Sequence, residues 1–593
     1  MQAVHHLAFL VAASLALTSP ATAQSLSGAL SDSTTGPVTP GVHLVVGPIS
    51  IAPGQTLTIQ AGAILKFPIG SYFAVDGTLL VQGAAGNPVS MTSSADDSLG
   101  GDTNANGPSS GSPGQWYGVQ FTDGSDASVC SYMTLRFAGY GGYAAAKLTN
   151  SNLTLNSCLF ENGSSGGLDA NGTYSLPTVT NCAFNSNGGS AVYGMTLNGL
   201  TGFSGMTASG NSFNRILVSN ATVAGNLSLS AANGLNNVVA TSTVVSVPAG
   251  ASLTLGAGFV CKLPTGNYVQ VDGTLNANGT NANPVVFTDS GDDSYGGDSN
   301  GDGASAGSPG QWWGVFLNDG SDASSLNRMW VRHAGYGGTA AYELTNSNAT
   351  LTACKAIDSS SGGFDLNSTG ARPTAAGCKT ENCSGYAFYG VQIEALAGFS
   401  NSRATGNQFN QMRLSEAFVD STATVNFENG IDGVVVCPIV LSVPAAGTLT
   451  LNAGVVFKFP VGNYAQIDGT LLTNGTATDA VAFTTYADDS FGGDSNGDGA
   501  SGVTGGQWWG LFFNDGADAS SLTYATVAGA GYGGTASLEL TNADISAQYC
   551  TLRDGSQSGV DLNGTAAKPR IQRCQIINNG GNAITGSFGL MPK

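Results

Sequence analysis

Charge is scarce in this chain and basic charge scarcer: 9% of its 593 residues are charged, 18 basic against 38 acidic, for a formal net charge of −20. Nucleic acids and anionic membrane surfaces are bound through clustered Lys and Arg, so neither is an expected partner. Histidine is nearly missing, and only His43 and His333 lie beyond residue 23. With no C-x-x-C among the ten cysteines, the common zinc ligand sets are missing too. Proline numbers 20 and no Gly-X-Y period runs through the chain, which excludes collagen. Beyond residue 23 no apolar run is long enough to span a bilayer, so no membrane insertion is expected of the mature chain. What the sequence has instead is glycine, 86 residues of it, with 41% hydrophobic residues, too many for a disordered chain. Gly, Asn, Ser and Thr fill the segments between short runs of Val, Leu, Ile and Phe. That pattern disfavours helices and suits an extended all-β fold with many turns.

Residues 1–23 read as an export signal: an apolar stretch from Leu7 to Leu17 precedes the small-residue site Ala21-Thr22-Ala23, which would leave Gln24 as the mature N-terminus. The n-region carries His5 and His6 where Lys or Arg is usual. Export implies a secreted or cell-surface protein and permits disulfides.

Internal repetition sets the organisation. The phrases DSLGGD, DSYGGD and DSFGGD open at Asp97, Asp293 and Asp489, each 196 residues after the last. The same interval separates Trp116, Trp312 and Trp508, also Lys66, Lys262 and Lys458, and Asp76, Asp272 and Asp468. The expected domains are a flexible lead-in at residues 24–41 and three copies at 42–237, 238–433 and 434–593, the third truncated. A finer period lies inside each copy. Leu135, Cys158 and Cys182 stand in phrases that superpose with steps of 23 and 24 residues, the length of one solenoid turn. Strand-like phrases such as Val75-Asp-Gly-Thr-Leu-Leu-Val81 alternate in character, so one face can point inward in every turn. At ~4.8 Å per turn, roughly 20 turns make a rod on the order of 100 Å long.

The third copy opens with AGVVFKFPVGNYAQIDGTLLTNGTATDAVAFTT, followed by GGDSNGDG and GQWWGLFF. These phrases, which recur through nearly all of the mature chain, resemble the secreted bacterial right-handed parallel β-helix repeat proteins with DxNxDG calcium-type loops. The resemblance implies a right-handed parallel β-helix (solenoid). It marks activity poorly, because it spans adhesins, surface proteins and polysaccharide-degrading enzymes alike.

The strongest chemical motif is an acidic loop. Asp298-Ser-Asn300-Gly-Asp302-Gly and Asp494-Ser-Asn496-Gly-Asp498-Gly match D-x-[DN]-x-[DN]-G, in which alternate oxygens converge on one cation and the glycine permits a sharp turn. Hard oxygen ligands favour Ca²⁺. The preceding pairs Asp292-Asp293 and Asp488-Asp489 offer further carboxylates. Copy one is poorer, with Asp96, Asp97, Asp102, Asn104 and Asn106. No Glu stands at the twelfth loop position, where Pro309 is found, so this is not an EF-hand. The alternative is a solvated acidic turn.

Cys158 and Cys182, Cys354 and Cys378, and Cys550 and Cys574 each fall 24 residues apart, in one column of adjacent turns. Each pair can form a disulfide or fill the core as two thiols. Lys66, Lys262 and Lys458 lie between hydrophobic neighbours and are expected to snorkel from the surface. One cluster is unrepeated, Arg328-Met-Trp330-Val-Arg332-His333. By strand alternation Arg328, Trp330 and Arg332 share a face where an indole between guanidinium groups could bind an acidic sugar; the alternative is a solvated face. The pairs Trp116-Tyr117, Trp312-Trp313 and Trp508-Trp509 should each place one ring inward and one outward, and the outer rings are candidates for carbohydrate stacking.

Catalysis is not legible. The acidic pairs recur three times, whereas a catalytic constellation normally occurs once; Gly-His-Gly and Arg-x-Lys phrases, typical of the pectin-degrading relatives, are missing, as is a G-x-S-x-G phrase with a partnered histidine. The expected function is a secreted, calcium-stabilised rod, structural, adhesive or glycan-binding, with an extracellular polysaccharide or cell-surface component as partner. The alternatives are a polysaccharide lyase or glycoside hydrolase, and a carbohydrate-binding array without catalysis. On architecture the expectation is sharp: circular dichroism should report β structure with little helix and small-angle scattering a rod, and a compact globular scattering profile would contradict it.

Overall fold

The computed structural model describes residues 24–171, 175–368, 370–564 and 566–586. The expected export signal, 1–23, lies outside them. The chain is an all-β parallel β-solenoid of right-handed type with about 23 turns of about 24 residues and almost no helix. It forms two compact units, one holding residues 24–168 and 185–188 and the other 169–184 and 189–586, so the division falls inside the first sequence copy.

In the first unit each turn contributes three short strands, and each strand pairs in parallel with its equivalent one turn on. Thr56–Gln60 pairs with Thr78–Gln82, which pairs with Val129–Ser131 and then Thr154–Asn156. The register stacks Ile59, Val81, Cys130 and Leu155 in one inward column, all buried. A second column runs Leu65, Met91, Leu135 and Phe160. Alternation explains the composition: Leu, Val, Ile and Phe occupy every other strand position and Thr, Ser, Gln and Asn the positions between. The second unit repeats the scheme, with Leu255, Ala277, Leu326, Leu351, Ala375 and Phe399 in one column.

The expectation of a flexible lead-in at 24–41 is corrected. Gln24–Ala29 pairs in parallel with Gly41–Ile51, and Asp32 accepts hydrogen bonds from the Thr58 N–H and hydroxyl at 2.8 and 2.7 Å. A Ser/Thr/Gly-rich composition concealed a turn of solenoid because edge strands need few apolar residues.

Some strands are buried on both faces. Val89–Ser93, Val285–Asp289 and Val481–Thr485 have no exposed residue, because the acidic loop that follows each one folds back over its outer side. The far end of each loop is closed by an inward tryptophan. Trp116, Trp312 and Trp508 are fully buried, and each indole N–H donates to a backbone carbonyl, of Arg136, Arg332 and Ala528, at 2.7–2.8 Å. Trp116 stacks on Phe67 and Trp508 on Phe459, with ring centroids 4.2 and 4.7 Å apart. Their neighbours Tyr117, Trp313 and Trp509 point outward and are half-buried. This difference is measurable: Trp508→Ala should cost about 3–5 kcal/mol of stability and shift the denaturation midpoint strongly, as truncation of a buried aromatic does. Trp509→Ala should cost clearly less, about 1–2 kcal/mol for partial burial. Equal losses in the two variants would contradict the alternation.

Candidate functional site

Three kinds of site emerge from this scaffold. The first is the acidic loop. Lys66, Lys262 and Lys458 do not snorkel into solvent: each is fully buried under the loop, with its ammonium donating to the carbonyl of Gly101, Gly297 or Gly493 at 2.5, 2.8 and 2.7 Å. That glycine immediately precedes the first aspartate of each motif. The lysine side chain leaves the outer face of its strand and meets the covering loop, so hydrophobic neighbours in the strand signalled burial. Burial pushes all three ammonium groups below their usual pKa, opposed first by Asp97, Asp293 and Asp489 respectively.

The paired aspartates divide their labour. Asp96, Asp292 and Asp488, expected as metal ligands, turn away into the wall of the solenoid. Each accepts from a threonine hydroxyl four residues earlier, at 2.6–2.7 Å, and from the hydroxyl of Ser98, Ser294 or Ser490. Arg136 adds an ion pair to Asp96 at 3.0 Å and Arg332 one to Asp292 at 2.9 Å. Burial alone would raise the Asp292 carboxyl; hydrogen bonds from Ser294 and Thr288 and the charges of Arg332 and His333 hold it below the usual value. The second members face the loop. Asp97, Asp293 and Asp489 each accept from the N–H of Ser109, Ser305 or Ser501 through Oδ2, while Oδ1 is buried without a hydrogen-bond partner. The Oδ1 of Asp293 stands 3.8 Å from the Lys262 ammonium.

In copy two, carboxylate oxygens of Asp293, Asp298 and Asp302 lie within 4.8 Å of one another, and in copy three those of Asp489, Asp494 and Asp498 do. Asp298 is held by the N–H groups of Gly301 and Gly303, and Asp494 by those of Gly497 and Gly499. Asn300 and Asn496 donate to Asp302 and Asp498 at 2.8 Å. In copy one Asp102 accepts from Asn106 and Gly107, and Asn104 from Asn106, so the loop has a similar turn but an amide where the others have a third carboxylate.

The second kind of site is an aromatic cleft, found twice with the same lining. Tyr268, Gln270, Trp313, Phe316 and Asn318 enclose about 340 Å³, and Tyr464, Gln466, Trp509, Phe512 and Asn514 about 350 Å³. Every lining residue of one lies 196 residues from its counterpart in the other. Tyr268 meets Phe316 edge-on at 5.7 Å, and Tyr464 meets Phe512 at 5.5 Å. Behind each cleft one carboxylate orients two amides. Asp272 accepts from the Nδ2 of Asn318 and the Nε2 of Gln270, and Asp468 accepts likewise from Asn514 and Gln466, at 2.6–2.8 Å. With their N–H groups so engaged, the amides keep their oxygens as acceptors. The indoles are backed by the turns Tyr336–Gly338 and Tyr532–Gly534. A Cβ at Gly337 or Gly533 would stand 2.7 or 2.5 Å from indole carbon, and φ there is +68° and +67°, so a side chain would push the ring aside and strain the turn. The outward tryptophans were legible in the sequence; the Tyr, Gln, Phe and Asn around them were missed, although their shared 196-residue spacing was the available signal.

The unrepeated cluster is assembled differently from expectation. Arg328 stands at a left-handed corner, φ 50°, before the strand Met329–Arg332, so it does not share the alternation of Trp330 and Arg332. It donates to Asn281 and Asn327. Arg332 is engaged by Asp292 and by Asp358 at 3.6 Å and lies over Tyr295, while Trp330 carries Lys355 on its face at 4.8 Å. The arginines and the indole are thus committed to neighbouring turns. His333 is buried, its Nδ1 2.6 Å from Asp289. No disulfide joins Cys354 to Cys378 or Cys550 to Cys574; the Cys354 thiol donates to the Leu326 carbonyl at 3.2 Å and the Cys550 thiol to the Leu522 carbonyl at 3.4 Å, while the Cys574 sulfur accepts from the Cys550 N–H.

The third site is a cleft of about 580 Å³ in copy two, lined by Asp365, Tyr389, Gln392, Arg413 and Glu416 among others. Comparison with family models, characterised proteins and solved structures finds no match for this chain, so geometry and chemistry carry the functional argument. If the buried lysines hold the loops, Lys458→Met should leave the strand Tyr464–Ile467 unchanged while amide protection within 486–507 falls by about tenfold or more in hydrogen exchange. Unaltered loop protection would contradict that role.

Proposed function

We propose that the chain is a secreted β-solenoid of three copies of a 196-residue unit, the third truncated, that binds extracellular glycans through outward aromatic clefts and is braced by Ca²⁺ in its acidic loops. The observation that carries this reading is the twofold recurrence of one cleft, Tyr268/Gln270/Trp313/Phe316/Asn318 and Tyr464/Gln466/Trp509/Phe512/Asn514. A half-buried indole flanked by oriented amides is the chemistry a sugar ring requires: an apolar face to stack on and fixed acceptors for its hydroxyls. Buried tryptophans one residue earlier serve the core, so the outer rings contribute less to folding.

Calcium is supported by the loops. Asp293, Asp298, Asn300 and Asp302 would hold it in copy two, and Asp489, Asp494, Asn496 and Asp498 in copy three. The buried Oδ1 atoms of Asp293 and Asp489 lack hydrogen-bond donors, and three carboxylates gathered within 4.8 Å repel one another without a cation. Lys262 and Lys458 offset part of that charge from below. Copy one, with Asn106 in place of the third carboxylate, would bind more weakly.

Calorimetry should find two tighter Ca²⁺ sites. Asp302→Ala and Asp498→Ala should each remove one, and Ca²⁺ should raise the melting temperature. Unchanged stoichiometry in both variants would refute the assignment. Independently, Trp313→Ala combined with Trp509→Ala should weaken binding on a glycan panel by about tenfold while leaving Ca²⁺ binding intact. Undiminished glycan binding in that double variant would remove the clefts from the function.

A further inference from the structure

The clefts do not stand alone. On the outer face of the second unit, register links Gln270 to Phe316, Phe316 to Glu343, Glu343 to Asp365 and Asp365 to Tyr389, one residue per turn. The aromatic cleft therefore runs directly into a pair of stacked carboxyl groups. On the inner face of the same strands Tyr342, Phe364 and Phe388 stack with centroids 4.5 and 4.9 Å apart, and the Tyr342 hydroxyl is anchored on the Met329 carbonyl at 2.7 Å. This aromatic ladder is special to copy two, since Leu538, Val560 and Ile584 hold the equivalent positions in copy three. It fixes the strands from which the carboxyls project.

Two acids on adjacent turns, both largely desolvated, are an arrangement that needs a counter-charge. Among the described residues no basic side chain is paired with Glu343 or Asp365. The groups acting on the pair are the Ala340 N–H, which donates to Glu343 at 2.6 Å, the Tyr389 hydroxyl, and the two carboxyls themselves. Of the other charged groups around the cleft, Glu416 adds to the negative charge, and Arg413 donates to the Tyr386 hydroxyl and lies over that ring at 4.5 Å. A separate feature also points to a ligand. Gln392 is 2% exposed and lines the cleft; its amide N–H donates to the Ser368 carbonyl, while its Oε1 is buried with no hydrogen-bond partner. An orphaned buried acceptor costs stability unless a donor reaches it.

Copy three provides the contrast. There the equivalent Glu539 accepts from Ala536 and Asn563 at 2.5 Å, and Asp561 accepts from Thr585 at 3.0 Å. Glu539 thus has a side-chain donor, Asn563, in addition to the backbone N–H that Glu343 also has. Copy one has Gln120 and Lys147 where copy two has Phe316 and Glu343.

We propose that the cleft of copy two is a subsite for a sugar bearing a protonated amine, the aminosugar unit of a glycan whose neighbouring ring stacks in the Tyr268/Trp313/Phe316 cleft. The ammonium enters between Glu343 and Asp365 and supplies the missing charge, while ammonium or hydroxyl hydrogens satisfy the Gln392 oxygen. The subsite deepens the glycan-binding reading and rests on it. Titration behaviour agrees. Burial first of all raises Glu343 to about 7 and Asp365 to about 6, so the site holds protons in mildly acidic solution and a bound ammonium must displace them. Phe316, the neighbour on the other side of Glu343, does not titrate, and burial pushes the Tyr389 phenol up, so it stays neutral. Arg413 and Glu416 complete the charged groups around the cleft.

The test is calorimetry on the mature chain with two probes, a glucosamine tetrasaccharide with free amines and its fully N-acetylated counterpart. The wild type should bind the amine form about tenfold more tightly, the usual scale for a charge-assisted hydrogen bond, and this preference should vanish as pH falls from about 7.5 to about 5. Asp365→Asn and Glu343→Gln, both isosteric, should abolish the preference and leave the N-acetylated form unaffected; Asp561→Asn in copy three should change nothing. Equal wild-type affinity for the two probes would overturn the proposal without any variant, and so would a preference that survives Asp365→Asn. If the N-acetylated probe binds and is lost in the tryptophan variants while the amine confers no gain, only the aminosugar subsite is wrong. If neither probe nor any other glycan binds, the glycan-binding reading falls with it.

Discussion

Everything in this molecule depends on parallel, in-register stacking of short strands. The strand N–H and C=O groups of a turn find their partners in the turns before and after, and the register makes each strand position the neighbour of its equivalent in the next turn. A residue's destiny is then binary. Alternate strand positions build continuous inward columns such as Leu65, Met91, Leu135 and Phe160, and the positions between them build outward ones. A function placed on an outward position is automatically extended along a column, which is how an aromatic cleft and a carboxyl pair come to share one line.

The acidic loops are the exception that the stacking must accommodate. Each interrupts the regular turn between two strands, and each is fastened at both ends by buried polar chemistry: a lysine ammonium on a glycine carbonyl before the motif and an indole N–H on a carbonyl after it. Burying an ammonium is costly unless it is hydrogen-bonded and faces compensating charge. The aspartates of the loop provide that charge, so anchor and acidic cluster are parts of one arrangement. One aspartate of each pair is consumed in the wall, by threonine and serine hydroxyls, and the other faces the loop.

Much of this was legible in the sequence because repetition and alternation are one-dimensional signals. The 23 to 24 residue step, the all-β class and the inward and outward members of Trp312-Trp313 follow directly from spacing. What was not legible depended on folding in the third dimension. Lys262 reads as a surface residue until the loop 35 positions later covers it. Asp292 and Asp293 are adjacent and chemically identical, and only the strand's end decides which turns inward. Arg328 departs from the face of Trp330 because a left-handed corner resets the alternation between them. Glu343 and Asp365 are 22 residues apart, and their pairing appears only once the register places them side by side.

We propose that the outward aromatic clefts are where this protein meets a glycan. A crystal structure of residues 24–593 soaked with Ca²⁺ and an oligosaccharide tests this most directly. The account predicts sugar rings lying against the indoles of Trp313 and Trp509, with hydroxyls on the amide oxygens of Gln270 and Asn318 and of Gln466 and Asn514. Sugar density elsewhere on the molecule, with both clefts holding only solvent, would contradict it.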